Sequence, residues 1–242
     1  MFFPIKDDNP TSRTPYLTIA LIAANTLIFL YTRLIGAEGF EYFIVSYGFI
    51  PQRFFEGSDM SHLFGVALDS PIMLTPFSSM FMHGGWMHLI GNMLVLWIFG
   101  NNIEDYFGPI KFLLFYLLAG IAAVALYSAI NLESAIPLVG ASGAIAGVMG
   151  AYMVLHPKAE ITVLIIFFFI QFVTLPAKIV LGIWFGLQFV MSFMASGSGG
   201  GTAWLAHVGG FLFGYIVLRI IVSIWGRGTP SGDRQRVYKM NW

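Results

Sequence analysis

The sequence predicts an all-α polytopic membrane protein, a bundle of six transmembrane helices. Of its 242 residues, 57% are hydrophobic and only 10% are charged, and the mean hydropathy is +0.79. A soluble domain of this length is far less apolar. In addition, several runs along the chain approach the roughly 20 apolar residues that a helix needs to cross a bilayer.

The charge balance and the lack of cysteine narrow the possible functions. The chain has 12 basic and 12 acidic residues, and a net charge of zero gives no indication of nucleic-acid binding. It has no cysteine, which excludes disulfides and thiol chemistry.

The chain opens with a polar, proline-punctuated segment, residues 1–15, which we expect to be cytoplasmic. The apolar run 16–31 follows it. This run is long for the core of a signal peptide, and no clear small-x-small cleavage site comes after it, so we expect a retained transmembrane helix. The membrane domain extends over 16–225, and the polar, basic tail 226–242 is predicted to be cytoplasmic and flexible.

A long loop, residues 36–82, separates the first two spans. Three prolines, Pro51, Pro71 and Pro76, limit how much of it can be long helix. The loop is also rich in aromatic residues, among them Phe40, Tyr42, Phe43, Tyr47, Phe49, Phe54 and Phe55. So many aromatic side chains favour a segment that lies in the membrane interface.

Polar and proline-containing stretches separate the remaining apolar runs. The predicted second to sixth spans cover approximately 86–101, 110–130, 142–156, 177–194 and 203–225, with a Gly/Ser loop at 196–201. Residues 161–175 are ambiguous, because they could form a seventh span or a partly buried connector.

The distribution of basic residues decides between six and seven spans. With six spans, one side of the membrane collects Lys6, Arg13, Lys111, Lys158, Lys178, Arg227, Arg234, Arg236 and Lys239. The other side keeps Arg33 and Arg53. Because basic loops tend to stay in the cytoplasm, we predict six spans with both termini cytoplasmic.

Polar residues that are unusual for membrane helices lie near the starts of three predicted spans. These are His83, His88 and Asn92 at the second span, Ser142 at the fourth and His207 at the sixth. In the six-span topology all three spans start on the outer side, so these groups lie at one depth. Polar groups in hydrocarbon are costly unless they pair or function, and their convergence favours a site.

Ser142 lies in the sequence Gly140-Ala141-Ser142-Gly143 at the start of the fourth span. A helix N-terminus stabilises developing negative charge, so a serine there is placed for nucleophilic chemistry. The alternative is that small residues at a spacing of four mark close helix–helix contact in the membrane. A histidine among small residues on a later span, Ala206-His207-Val208-Gly209-Gly210, favours the catalytic interpretation.

Small residues form a stripe on each of these two spans. The stripes contain Gly143 and Gly147 on the fourth span, and Gly210 and Gly214 on the sixth. They allow the two helices to approach closely, which could bring the Ser142 hydroxyl within hydrogen-bond reach of the His207 ring. The fourth span is also short: about 15 residues rise about 22 Å against a hydrocarbon thickness of about 30 Å. Ser142 is therefore expected below the membrane surface, in a water-filled recess.

Three ordered motifs carry a resemblance to a known family. They are H-x4-H-x3-N (His83, His88, Asn92), G-x-S-G (Gly140 to Gly143) and A-H-x2-G-x3-G (Ala206, His207, Gly210, Gly214). In content, order and position they resemble the rhomboid intramembrane serine proteases. The segments 7–11 and 47–51 are similar to bacterial members, so the resemblance covers nearly the whole chain.

The resemblance implies a six-helix rhomboid-like bundle with a Ser-His dyad and no acidic third member. Ser142 would be the nucleophile and His207 the general base that later protonates the leaving amine. The side chains of Asn92 and His88, with the backbone N–H of Ser142, would form the oxyanion hole. His83 would be a residue of loop packing or of the site edge, as would Gly140 and the four stripe glycines.

The resemblance also implies the partners and the location. Substrates would be helical transmembrane proteins cut near their outer end, and the protein would reside in the lipid bilayer of a bacterial inner membrane. We expect no cofactor. We also expect no metal, since H-E-x-x-H is absent and Asn92 and Ser142 are poor zinc ligands.

Two other function classes remain open. One is a non-catalytic rhomboid-like protein that binds membrane helices, although such relatives usually lack the serine or the histidine that this chain keeps. The other is a small transporter, which typically shows charged or broken spans in repeated halves; the sequence has no such repeat.

The sequence departs from the family pattern at two places. Many members have an aromatic residue four positions after the serine, stacking on the catalytic histidine, and here that residue is Ala146. Members also commonly carry Trp-Arg in the first long loop, which the positions near Leu74-Thr75 lack. Neither departure removes a group that does chemistry, so we still expect activity.

Overall fold

The computed structural model describes residues 2–57, 59–66, 68–166, 169–194 and 203–226. The predicted Gly/Ser loop 196–201 and nearly all of the predicted tail 226–242 lie outside these ranges. The helices are α1 (Tyr16–Leu34), α2 (Gly36–Tyr47), α3 (Pro51–Glu56), α4 (Ser61–Phe64), α5 (Thr75–Ser78), α6 (Trp86–Phe107), α7 (Pro109–Ile130), α8 (Ser142–Leu155), α9 (Ala177–Met194) and α10 (Trp204–Trp225). The strands are β1 (Phe2–Asp7), β2 (Glu160–Ile166) and β3 (Ile170–Pro176).

Six helices, α1 and α6 to α10, occupy the positions of the six predicted spans, which confirms the helical-bundle class. Among the described residues, α1, α7, α9 and α10 are long and apolar enough to cross a membrane. Helix α8 is shorter, with 14 residues, and α6 ends in the polar segment 101–105. A crossing by all six helices therefore stays a prediction.

Helix α6 continues to Phe107, past the predicted end at 101, because its polar end is buried and paired. The carboxylate of Glu104 accepts hydrogen bonds from the backbone N–H groups of Leu17 and Thr18, at 2.9 and 2.7 Å. These N–H groups belong to the first turn of α1 and have no partner within that helix. Glu104 thus caps α1 from a neighbouring helix, and its negative charge lies at the positive end of the α1 dipole.

The predicted interfacial loop 36–82 is largely helical. Helix α2 alone has 12 residues, and two of the prolines, Pro51 and Pro76, lie in the first turns of α3 and α5. A proline there removes no helical hydrogen bond, so these residues start helices instead of preventing them. The buried guanidinium of Arg53 ties the loop together, because it donates to three backbone carbonyls, those of Ser46, Leu68 and Ser70.

A three-stranded antiparallel sheet, in the order β1-β2-β3, accompanies the helices. Strands β2 and β3 form a hairpin in which Glu160 pairs with Pro176, and β1 pairs with β2 so that Asp7 lies opposite Ile161. The carboxylate of Asp7 accepts hydrogen bonds from Tyr152 of α8, at 2.8 Å, and from Asn102 of α6, at 2.9 Å. These bonds attach the sheet to the bundle.

The sheet was not expected from an all-α prediction, and it resolves the ambiguous segment 161–175. That segment is a β-hairpin connecting α8 to α9, not a seventh helix. Its first strand is rich in β-branched residues, which favour strands. Ile161 and Val163, two positions apart, are both fully buried, as expected where one face of a strand packs on the core.

Helices α8 and α10 lie in backbone contact. A Cβ added at Gly210 would lie 1.9 Å from the carbonyl oxygen of Gly143, and one added at Gly214 would lie 1.9 Å from that of Gly147. No side chain, not even a methyl group, fits at either position of α10. The predicted close approach of the two glycine stripes is present in this geometry.

The glycines of α8 also serve a second neighbour. A Cβ at Gly143 would lie 2.6 Å from the Cβ of Ala123, and a Cβ at Gly147 would lie 2.4 Å from that of Ala119, both on α7. At Gly143 and Gly147, helix α8 thus contacts α10 through its carbonyl oxygens and α7 through Cα atoms that carry no side chain. It is wedged between them with its side chains almost entirely buried.

The contact between α8 and α10 predicts a sharp response to a single methyl group. Gly210→Ala should lower the free energy of unfolding by about 1–3 kcal/mol, because the methyl group would overlap the Gly143 carbonyl. Gly182→Ala on α9 is the matched control, since nothing lies within 4 Å of its added Cβ. It should be neutral or stabilising by up to about 1 kcal/mol. Denaturation in one detergent measures both, and equal stabilities for the two variants would contradict the contact.

Candidate active site

Ser142 and His207 come together at the ends of the α8–α10 contact. Ser142 is the first residue of α8, and His207 lies in the first turn of α10. Their side chains are 2.8 Å apart, measured from Ser142 Oγ to His207 Nε2. This is a hydrogen-bond distance between a hydroxyl and an imidazole nitrogen, the arrangement required of a nucleophile and its base.

Gly140 occupies a position in front of the serine that only glycine fits. Its φ of +123° lies in a region that L-residues with a side chain rarely adopt. A Cβ there would also lie 2.6 Å from His88 Nε2. The Gly140 backbone N–H donates to the carbonyl of Ser79 at 2.9 Å. This hydrogen bond fixes the loop segment that leads into α8. The absence of a side chain therefore lets the His88 ring lie directly against this loop.

His88 and Asn92 lie one turn apart on α6, and both face Gly140. The amide nitrogen Nδ2 of Asn92 is 3.0 Å from His83 Nε2, and it would lie 3.6 Å from a Cβ built at Gly140. An amide nitrogen carries two hydrogens, so a bond to His83 leaves the second for a ligand beside Gly140. The His83 and His88 rings meet edge to face, with centroids 5.1 Å apart.

His83 lies in the loop before α6 and is only 2% exposed. Burial lowers its pKa to about 4, with a smaller contribution from neighbouring His88. The ring is therefore neutral near pH 7, and a neutral ring can accept the Asn92 hydrogen at Nε2. His83 thus lies behind Asn92, and its assignment as a residue of the site edge stays a prediction.

Two residues of α9 complete the surroundings of His207, and the sequence analysis identified neither. Gln188 Oε1 lies 2.7 Å from His207 Nδ1. The Trp184 ring lies 5.9 Å from the His207 ring, centroid to centroid, with 33° between their planes. The residue four positions after the serine, Ala146, is fully buried and offers no ring. A signal for Gln188 was available, since it is the one amide in an otherwise apolar span.

A cavity of about 800 Å³ opens over these groups. Its walls include Met87 and Val95 of α6 and Trp184 of α9, and its lining extends to Phe3 and Pro4 of β1. A volume in this range accommodates a small ligand or a short peptide segment. The Ser142–His207 pair thus lies at the wall of a largely apolar cavity to which both α6 and α9 contribute.

The depressed pKa of His83 predicts a pH dependence of stability. A group whose folded pKa lies below its unfolded value stabilises the fold above the unfolded value, here 6.5, and loses that contribution as the pH falls towards 4. The melting temperature should therefore fall over this window. His83→Gln keeps an acceptor for Asn92 but cannot titrate, so its melting temperature should fall less. Identical pH profiles for the two proteins, measured in one detergent, would contradict the buried neutral state.

Comparison with known proteins places this geometry in a family context. A Rhomboid domain model matches residues 72–224, more than half of the chain. Mitochondrial Rhomboid protein 1 of Saccharomyces cerevisiae is 32% identical over 146 residues, covering 57% of this chain and 39% of that protein. Mitochondrial RHOMBOID-like protein 6 of Arabidopsis thaliana is 42% identical over 76 residues, covering 31% and 24%. Rhomboid protease GluP of Bacillus subtilis is 42% identical over 82 residues, covering 34% and 15%.

The aligned regions span well under half the length of these curated relatives. Within this chain, however, the matched domain begins before α6 and ends in the last turn of α10, so it includes the site side chains from His83 to His207 but not Phe3 and Pro4 of the cavity lining. The apolar helices agree with the membrane-embedded character of such a domain. The chain is therefore a membrane-integral protein that belongs to the rhomboid family.

Proposed function

We propose that this protein is an intramembrane serine endopeptidase that cleaves transmembrane segments of other proteins through a Ser142–His207 dyad. The observation that carries the proposal is the 2.8 Å distance between Ser142 Oγ and His207 Nε2. A serine hydroxyl is a weak nucleophile unless an adjacent base takes its proton, and an imidazole nitrogen at this distance is such a base. Rhomboid protease GluP, one of the relatives, is named as a protease.

Acylation begins with attack of Ser142 Oγ on the scissile carbonyl carbon while its proton passes to His207 Nε2. The carbonyl oxygen acquires the negative charge of a tetrahedral intermediate. Collapse of this intermediate breaks the C–N bond, and the imidazolium gives its proton to the departing amine. A water molecule then repeats the sequence on the acyl-enzyme, with His207 as base and then acid, and releases the carboxylic acid and Ser142.

Three donors are available for the developing oxyanion. The backbone N–H of Ser142 lies in the first turn of α8, where it has no partner within the helix, and the α8 dipole is positive at this end. Asn92 Nδ2 and the His88 ring lie on the other side, next to Gly140. Donors held in place before the reaction stabilise the transition state without reorganisation, which supports the role of these groups as an oxyanion hole.

The substrate would reach the dyad from the bilayer. Rhomboid family proteins act on membrane-embedded helices, and the largely apolar lining of the cavity beside the dyad supports binding of such a segment here. Peptide bonds within a helix are shielded by their hydrogen bonds, so the segment must unwind near the site. We infer that cleavage falls where small or helix-destabilising residues make this unwinding easy.

The same proposal includes the face of the membrane near which the site lies and the membrane in which the protein resides. The basic residues of the sequence favour cytoplasmic termini and a site near the outer face. The bacterial inner membrane is the expected location, although two of the relatives named above are mitochondrial. Topology mapping with reporter fusions at the two termini measures the orientation directly.

The dyad predicts that either partner is indispensable. Ser142→Ala and His207→Ala should each abolish cleavage of a model transmembrane substrate by purified protein, while the melting temperature stays close to that of the wild type. Because the two groups act as one unit, the double variant should be little worse than either single variant. A fluorophosphonate should label Ser142, and this labelling should require His207.

Ser223→Ala is the matched control, because Ser223 is an exposed serine of α10 whose hydroxyl bonds to its own helix. It should cleave at the wild-type rate. Turnover by Ser142→Ala at the wild-type rate would refute the nucleophile assignment. A wild-type protein that binds transmembrane helices but neither cleaves them nor reacts with the fluorophosphonate would instead be a non-catalytic rhomboid-like protein.

Asn92 tests the oxyanion hole separately from the dyad. Asn92→Ala should lower kcat by about 10²- to 10³-fold, the range typical of one lost oxyanion donor. Labelling of Ser142 should persist, because the serine and its base are intact. Unaltered kcat with a large fall in melting temperature would make Asn92 a structural hydrogen-bonding residue only.

A further inference from the structure

We propose that Gln188 is a positioning residue that holds His207 in the tautomer with its hydrogen on Nδ1. The proposal rests on the proposed function, in which His207 Nε2 accepts the Ser142 proton. It goes further in giving the base a third partner, on a helix that contributes no reacting group. The Gln188 Oε1 to His207 Nδ1 distance of 2.7 Å is the primary observation.

The chemistry of imidazole makes this contact decisive. A neutral imidazole carries one hydrogen, and the nitrogen without it is the one that accepts. Since Ser142 must donate to Nε2, the hydrogen must lie on Nδ1 and needs an acceptor there. The carbonyl oxygen of Gln188 is such an acceptor. A reversed amide would donate to Nδ1 instead, which would move the ring hydrogen to Nε2 and leave the ring unable to accept from Ser142.

The burial of Gln188 indicates a selected role and not a chance contact. Its side chain is only 6% exposed. After Leu181 it is the one buried residue of α9, since the residues around it face outward. Leu187 and Phe189, on either side of it, are 49% and 47% exposed. A polar amide is costly in an apolar setting unless it is hydrogen-bonded, and His207 is the partner that the geometry provides.

Trp184 gives the same ring a second support from the same helix. It lies one turn before Gln188, and its ring tilts by 33° from that of His207 at 5.9 Å between centroids. On α10 itself, the Trp204 ring meets the His207 ring edge to face, with centroids 6.3 Å apart. Helix α9 therefore constrains both the plane of the imidazole and the nitrogen that carries its hydrogen.

Kinetics of two Gln188 variants form the first part of the test. Gln188→Leu removes the acceptor at similar volume, and it should lower kcat by about 10²-fold with little change in KM or melting temperature. Gln188→Glu keeps the acceptor and adds a negative charge, which stabilises the imidazolium. It should move the acid limb of the kcat/KM profile to higher pH. Leu187→Ala, an exposed neighbour, should leave both kcat and the pH profile unchanged.

Nitrogen NMR of the histidine rings forms the second part and needs no substrate. In protein labelled with ¹⁵N-histidine, the His207 resonances are those that disappear in His207→Ala. They should report hydrogen on Nδ1 in the wild type and a shift towards hydrogen on Nε2 in Gln188→Leu. This readout stays valid even if Ser142→Ala keeps full turnover, so a failure of the proposed function is recognised separately.

Two results would overturn the proposal. One is an unchanged His207 tautomer in Gln188→Leu, whatever happens to the rate, since Gln188 would then not select it. The other is a loss of activity in Gln188→Leu that only follows a loss of melting temperature, with an acid limb in Gln188→Glu that does not move. Either result would make Gln188 a packing residue of α9.

Discussion

The geometry of the site depends on the backbone contact between α8 and α10. A bilayer provides little hydrophobic driving force between helices, so close packing must hold them together. At Gly210 and Gly214 the two backbones approach so closely that a single methyl group would overlap a carbonyl oxygen of α8. Ser142 is the first residue of α8 and His207 lies in the first turn of α10, so the distance between them follows from this contact. A small displacement of either helix would separate them, and errors near 1 Å can cost roughly 10²-fold in rate.

The helices that contribute to the site differ in how tightly they are packed. Helix α8 is held on a second side by the alanines of α7, so Ser142 begins a helix that is almost entirely buried. Helix α6 brings His88 and Asn92 against Gly140, where the left-handed backbone leaves room for the ring. Helix α9 is the least enclosed of the four apolar candidate spans, yet it supplies Gln188 and Trp184, which contact the His207 ring. Ser142 is thus held by close packing on two sides, and the His207 ring contacts a lightly packed helix.

The sequence predicted what is local and missed what depends on distant contacts. The apolar runs and the spacing of the glycines indicated the bundle and the meeting of Ser142 with His207. The hairpin at 161–175 was not predicted, because a short apolar run is compatible with a strand, a buried helix or a membrane span. Its partner strand, β1, lies near the start of the sequence, where the polar and proline residues gave no indication of strand pairing. Gln188 escaped as well, since only the docking of α9 brings it to Nδ1.

The pairing of β1 with β2 has a consequence for biosynthesis. Phe2 pairs with Ile165, so β1 is synthesised well before its partner strand, which follows α8 in the chain. Contacts between residues so distant in sequence form late, because closing a long loop costs chain entropy before the contact contributes any stabilising free energy. The early helices would therefore integrate into the bilayer with the N-terminal strand still unpaired. Phe3 and Pro4 line the cavity, so this part of the lining is in place only when the strand docks. A nascent chain would consequently lack part of the cavity wall until most of its helices have been synthesised.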